Sequence, residues 1–490
     1  MKILQIMAFG FVFELNNNTC YFTDEYEIYI NGRLHSKTTK NVVSIFGLKP
    51  CTEYKVEINN GHFFIKTLTP SYLINVAHYN GSINTAIYTA PAGSVVYVPP
   101  GEYLADQILL KSHVDIYLAE GAVIKQTTDR NRLAIIKGYQ KNYDHTQAEI
   151  NASWEGHPLD CYASLIYGKN VENVNIYGHG IIDGNGDIGG FWENPKVKNK
   201  AFRPKNIFLA FCKSITIGGI KSRNSASWNI HPFYCTDIAF KAITLESIET
   251  SPNTDGLNPE SCENVDIVGC FFSVGDDCIA IKAGKYYMST AHQKPTNNVR
   301  IRNCYMEKGH GAVVIGSEMS CGVQNVTVTQ CLFVDTDRGL RIKTRRGRGP
   351  SAIVDDISFT NVQMRGVHHC FVVNMFYFCD PDGKSDYVSN KNIQIADDMT
   401  PTVKNISLYN INATDIKGCA IFIYGLPENI VTGVNISDSS FTFAKERITE
   451  PPAMMDGFEP IENLGVYIEN AKVNMEGNDF IGEGAICKKL

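Results

Sequence analysis

One short phrase recurs along most of this chain. A polar residue comes first, then usually Asn or Asp, then apolar residues at alternate positions, then a Gly or Asn corner. It reads Glu172-Asn173-Val174-Asn175-Ile176, Lys213-Ser214-Ile215-Thr216-Ile217, Glu263-Asn264-Val265-Asp266-Ile267 and Asn297-Asn298-Val299-Arg300-Ile301. It continues as Gln324-Asn325-Val326-Thr327-Val328, Asp355-Asp356-Ile357-Ser358-Phe359 and Lys404-Asn405-Ile406-Ser407-Leu408. The gaps between copies are mostly roughly 23–34 residues, the range of a solenoid repeat. Period-two alternation makes each copy a strand, and no long amphipathic helix pattern intervenes. A single coil of this kind cannot bury its apolar face, whereas coils stacked about 4.8 Å apart bury it continuously. The expectation is therefore an all-β chain built as a right-handed parallel β-helix. Longer gaps at 138–162 and 378–402 read as insertions that project as loops from one face.

The chain has 490 residues, too many for one ordinary compact core. Residues 1–70 read as a separate, small β-sandwich-like domain, with the β-helix over 71–490. Glu25–Ile30 alternates into the turn Asn31-Gly32, a hairpin signal. Val42–Phe46, Tyr54–Ile58 and Phe63–Thr67 read as further strands, Asn84–Thr89 as a short helix and Val95–Val98 as a strand stopped by Pro99-Pro100-Gly101. The stretch Leu48-Lys49-Pro50-Cys51-Thr52-Glu53-Tyr54-Lys55-Val56 resembles a segment of fibronectin type III domains. The domain is short for a full sandwich, so a strand is expected to be missing or shared with the β-helix.

Met1–Phe13 is apolar after Lys2, but the run stops at Glu14 and no small-x-small site precedes Asn16–Asn18, so it reads as a first strand. No run reaches the length of a membrane-spanning helix. The fifteen cysteines lack zinc spacing, and several, such as Cys270, Cys304 and Cys331, sit in strand contexts. They read as reduced, buried apolar residues, which favours a reducing compartment. The expected location is the cytoplasm, with secretion as the alternative.

Four motifs fall on successive repeats: Asn253-Thr254-Asp255-Gly256, Gly275-Asp276-Asp277-Cys278, Gly309-His310-Gly311 and Arg341-Ile342-Lys343. The separations, about 21, 33 and 31 residues, match one coil each and so place the groups in one column. In a regular strand Asp276 and Asp277 would face opposite ways; both serve one cleft only if the backbone bends, which Gly275 permits. Three carboxylates close together cannot all ionise freely, so at least one pKa rises and a proton donor stands beside a base. That is the inventory for inverting glycoside hydrolysis, in which one carboxylic acid protonates the leaving oxygen and the other carboxylates activate water. Arg341 and Lys343 suit a substrate carboxylate. Asn253, Lys282 and Arg345 are further candidate substrate contacts, and Thr344-Arg345-Arg346-Gly347-Arg348 extends the cationic strip. The net charge of -6 and the absence of a reading motif argue against nucleic acid as a partner.

In this order and at these separations the motifs, with Tyr97-Val98-Pro99-Pro100-Gly101 and Ser227-Trp228-Asn229-Ile230-His231-Pro232, resemble the family 28 glycoside hydrolases, the polygalacturonases, over about residues 75–445. The resemblance implies inverting attack on α-1,4-linked galacturonic acid, with no metal and no cofactor. It implies Asp276 as general acid, Asp255 and Asp277 as the pair holding the water, and His310 as the group that tunes the acid. Arg341 and Lys343 become the carboxylate clamp. Retention of His310 with Arg341-Ile342-Lys343 favours homogalacturonan over rhamnogalacturonan. The N-terminal module and the insertions resemble exo-acting bacterial members, in which loops close one end of the cleft.

Two other readings compete. A calcium-dependent pectate lyase shares the fold and substrate but needs carboxylates around Ca²⁺ and a basic residue as base. A non-catalytic carbohydrate-binding β-helix would share the fold without the acid–base set.

Overall fold

The computed structural model describes the chain except residues 16–18, 60, 142–147, 462, 483–485 and 490. Asn16–Asn18 and the middle of the 138–162 insertion therefore lie outside the described residues.

From Tyr72 onward the chain coils through three parallel sheets, a right-handed parallel β-helix. The recurring phrase forms the first, a thirteen-stranded sheet that includes Glu172–Gly178, Glu263–Val268, Val323–Thr329 and Thr402–Tyr409. The strand after each corner, such as Phe271–Val274, belongs to a second sheet of twelve. The third sheet starts as four strands and resumes as seven, joined through bridges at Leu257 and Glu260.

Stacking is in register. Val174, Ile215, Ile238, Val265, Val299, Val326, Ile357 and Ile406 pair coil to coil along the first sheet, all buried. Each such side chain contributes roughly 1.5–3 kcal/mol by leaving water. The second position of the phrase follows from the backbone. Asn173, Ser214, Asp237, Asn264, Asn298, Asn325, Asp356 and Asn405 all have φ between 54° and 57°. Each inserts a left-handed residue between paired positions. Asn and Asp tolerate that conformation best after glycine. Neighbouring coils link through it, as when Asn298 Nδ2 donates to Asn264 Oδ1 at 2.7 Å. A second left-handed column, which includes Gly269, Asn303, Gln330, Asn361 and Asn410, makes the corners between the first two sheets.

The N-terminal residues form two antiparallel sheets. Lys2–Met7, Gly10–Glu14 and Val42–Phe46 make one; Tyr21–Ile30, Arg33–Lys40, Glu53–Ile58 and Gly61–Lys66 make the other. The apolar start thus supplies two strands rather than one, and no strand is borrowed from the β-helix. Asn31 and Gly32, with φ of 49° and 75°, form the hairpin turn. This unit packs on the first sheet and its corner. Phe9 stacks on Tyr117 at 4.3 Å, Phe46 meets Tyr177, and Arg302 pairs with Glu14 at 2.5 Å. Ser82 caps the short helix Ile83–Thr89. Of the described cysteines all are free, and only Cys51 and Cys379 are exposed.

If left-handed backbone geometry selects Asn in the phrase, Asn298→Ala should cost about 1–2 kcal/mol. Asn298→Gly should cost only a few tenths of that. Urea unfolding of both variants separates the two; an equal loss in each would assign the effect to the side-chain ladder instead.

Candidate active site

The third sheet positions the cleft. Ile230, Leu257, Ile279, Val313, Leu340 and Phe371 are register equivalents on successive coils. Asp255 and Asp277 each lie two residues before their equivalents, and Gly256 N donates to Asp277 O at 3.0 Å. The two side chains therefore start about one coil spacing, ~4.8 Å, apart. Asp276 and Asp277 fall in the bend between Phe271–Val274 and Ile279–Ile281, as their shared cleft requires. Gly275 serves that bend by its size rather than its freedom. Its φ is not left-handed, and a Cβ there would meet Ser251 O at 2.4 Å and Ile248 O at 2.6 Å. Gly309, before His310, does use φ of +74°.

Asp255, Asp276, Asp277, Asn253, Lys282 and Lys343 line one polar cleft of about 500 Å³, together with Trp228, Glu318, Tyr377 and Asp380. Asp255 and Asp277 are buried, whereas Asp276 is half-buried. Asp276 accepts from the Asp277 backbone N at 2.9 Å and from Asn253 Nδ2 at 3.3 Å, while Asn253 Oδ1 is held by Arg203 at 2.7 Å. Asn258 donates to Asp255 at 2.7 Å.

Environment divides the carboxylates. Burial, and then the negative charge of Asp276, push the Asp255 carboxyl up to about 8. Burial would raise Asp277 too, but Lys343 and Arg341 outweigh it and hold it at about 2. Lys343 Nζ lies 2.8 Å and Arg341 3.6 Å from the Asp277 carboxylate. The pair expected to grip a substrate carboxylate therefore touches a protein carboxylate, that of Asp277. Arg341 Nη2 and Asp277 Oδ1 are nevertheless buried without a hydrogen-bond partner. Such atoms are costly unless something else meets them.

The other expected residues are placed as follows. Lys282 pairs with Glu318 at 2.9 Å, stands 3.9 Å from Asp255 and lies over Trp228 at 4.6 Å. His310 is exposed; its backbone N donates to Asp276 O at 3.2 Å and its Nδ1 meets Asp337 at 2.8 Å. Arg345 does not face the cleft. It is taken up by Asp380 at 3.0 Å and Asp382 at 2.8 Å. Arg348 and Lys285 also pair with Asp380, and Arg346 with Glu428. The basic run expected as a strip toward substrate thus anchors the 378–402 insertion. Sequence reasoning missed Glu318, Asp337 and Asp380, none of which belongs to a recognisable motif. A third insertion, described at 444–461, was also missed; it lies against the third sheet, with Arg338 donating to Pro452 O and Asn374 to Met454 O. Among the described residues no group of three or more His, Cys, Asp or Glu side chains is arranged to hold a metal ion.

Comparison with known proteins places the chain in a family. The family description "Glycosyl hydrolases family 28" matches residues 145–422. A "Probable polygalacturonase" of Vitis vinifera is 32% identical over 363 residues, 73% of this chain and 68% of that protein. The chain therefore belongs to glycosyl hydrolase family 28. Among solved structures, an exopolygalacturonase from Thermotoga maritima superposes with a TM-score of 0.70 at 24% identity, covering 85% of this chain and 93% of that one. A family 28 exopolygalacturonase from Yersinia enterocolitica gives 0.66 at 18% identity, covering 96% and 98%. At these identities the two structures establish the shared fold.

The Asp255 shift makes a pH prediction. A carboxyl raised from about 3.9 in the unfolded chain to about 8 in the fold contributes stability that is complete below the unfolded value. That contribution is lost as pH rises through the folded value. The melting temperature of Asp255→Asn relative to wild type should therefore climb between pH 5 and pH 9. A constant difference across that range would refute the burial of a titrating Asp255.

Proposed function

We propose that this protein hydrolyses the α-1,4 bond between galacturonic acid residues, with inversion, and removes single residues from the ends of short oligogalacturonides. The observation that carries the reading is Lys343 in the lining of a cleft that also holds three carboxylates, with Arg341 buried beside Asp277. A uronate carboxylate is the anion such a lysine takes from the cleft, and the guanidinium adds its charge. The name of the grape relative supports the same substrate.

In this reading Asp276 is the general acid. It is the most exposed of the three aspartates that line the cleft. Asp276 gives its proton to the glycosidic oxygen as the C1–O bond breaks. Asp255 and Asp277, one coil apart, hold the water that attacks C1 from the opposite face, and Asp277, kept ionised by Lys343 and Arg341, takes its proton. Inversion needs about 6.5–9.5 Å between acid and base, room for that water. The cations around the carboxylates disfavour the calcium-dependent lyase reading, because Lys282, Arg341 and Lys343 lie within 4.0 Å of Asp255 or Asp277 and would repel a divalent ion.

Cleft shape supports attack at chain ends. Glu155 and Lys196 pair at 3.1 Å at the cleft wall, Gly156 O accepts from Lys285 N, and Lys285 Nζ reaches Asp380 at 3.0 Å. Two insertions are thus tied together beside the carboxylates.

Asp276→Asn should lower turnover on trigalacturonate by about 10²–10⁴-fold while substrate affinity, read by calorimetry, is kept. Retention of more than about a third of turnover rejects Asp276 as the acid. Proton NMR in the first minutes should show the β-anomer released; an initial α-anomer would move a nucleophile into the site. Products from long pectate should be monomer with slow loss of viscosity. A ladder of intermediate oligomers with rapid thinning would mean internal cleavage.

A further inference from the structure

Beside the catalytic coil runs a chain of alternating acidic and basic groups that the reaction scheme leaves unused. Asp337 lies on the coil after His310, just before the strand Arg338–Lys343. Its Oδ2 accepts from His310 Nδ1 at 2.8 Å and from Arg338 at 3.2 Å, and its Oδ1 lies 3.7 Å from His368 Nδ1. His368 and His369 both meet Glu450 Oε1, at 3.2 Å and 3.1 Å. Glu450 sits on the insertion at 444–461, whose Pro451 and Pro452 carbonyls accept from Arg338. The Asp337 backbone N also donates to Gly309 O at 3.0 Å, so the carboxylate is fixed relative to the histidine by main chain as well as side chain.

We propose that Asp337 is a positioning residue for the hydrolysis, holding His310 by Nδ1 so that Nε2 is the nitrogen left to donate on the Asp276 side. The inference rests on the reading of His310 as partner of the acid. An imidazole bonded to a carboxylate through Nδ1 has its tautomer and ring orientation set, and its cationic form is favoured. The His310 imidazole is raised accordingly, by the Asp337 bond first, with the charges of Asp276 and Asp277 adding to the rise. Asp337 itself is lowered; burial opposes this, while the His310 bond, Arg338 and His368 lower it. The groups facing His310 are thus Asp276 and Asp277 from the preceding coil and Asp337 from the next, with Arg338, His368 and Glu450 behind. A cation at His310 favours ionised Asp276 after its proton has left, which is the charge the transition state creates. Glu450 lies 3.8 Å from Arg338 and is a second carboxylate on that arginine.

The test is a double-mutant cycle with pH profiles on trigalacturonate, using His310→Ala, Asp337→Asn, Asp337→Glu and the double variant. Asp337→Asn should lower kcat at least tenfold with KM within about twofold, and should move the alkaline limb of kcat down by about one pH unit or more. Asp337→Glu should recover part of the loss. The double variant should be no slower than His310→Ala, because interacting groups are not additive. A wild-type pH profile for Asp337→Asn, or an undiminished further loss in the His310→Ala background, overturns the inference. Full activity of His310→Ala would instead remove the reading of His310 on which it rests. Equal melting temperatures for Asp337→Asn and wild type separate positioning from folding.

Discussion

The hydrogen-bonded register of the third sheet is the constraint on which the site depends. Parallel stacking repeats every outward position about 4.8 Å along the axis, so residues from distant parts of the sequence become neighbours without any helix or long loop to carry them. The same register stacks Asp255 on Asp277, and a second column supplies the cations that offset them. The carboxylates Asp255 and Asp277 stand before the strands, while Glu260, Lys282 and Lys343 share the column three residues past the register equivalents. Each buried aspartate then finds a cation within 4.0 Å. One coil lies between those two lysines, and Gly316 fills it, where a Cβ would meet Lys343 O at 2.2 Å.

Rigidity beneath the cleft comes from the same stack. Gly256 leaves room for Phe272, whose ring a Cβ would meet at 2.7 Å, and Phe272 is wholly buried. The backbone next to Asp255 therefore rests directly on the core. The N-terminal sheets seat elsewhere, on Tyr117, Tyr177 and Arg302 of the first sheet and its corner, and contribute no side chain to the cleft lining. Their contacts bury aromatic surface on the β-helix wall and leave the third sheet open.

How much of this was legible in the sequence follows from what each feature depends on. Coils stack identical positions, so the first sheet wrote itself repeatedly as Asn-Val-x-Ile, and the backbone conformation explains the Asn. The four motifs were legible because each packs its reactive group with the glycines or apolar residues that its own coil needs. The partners were not. Arg345 reads as a free cation until Asp380 and Asp382 of the insertion are seen beside it. Asp337 and Glu318 are single acidic residues whose meaning lies in what the neighbouring coil or insertion brings. Gly275 was correctly marked, but for backbone freedom, when the actual limit is the approach of Ser251 and Ile248, which no local pattern records.

The division of labour among the aspartates is set by cation placement rather than by residue type. Asp255 and Asp277 are the same residue, equally buried, on adjacent coils, yet one is pushed up to about 8 and the other held at about 2. What differs is that Lys343 and Arg341 lie on Asp277, while Lys282 gives its closest contact to Glu318. On the proposed reading this links recognition to chemistry. A substrate carboxylate that engages Arg341 and Lys343 shares charge that otherwise falls on Asp277. Coulomb attraction in a partly dry site is strong enough that such sharing raises the basicity of Asp277. The anion that identifies the substrate would then also prepare the base that receives the proton from water, and a neutral sugar, which leaves both cations on Asp277, would bind to a site with a poorer base.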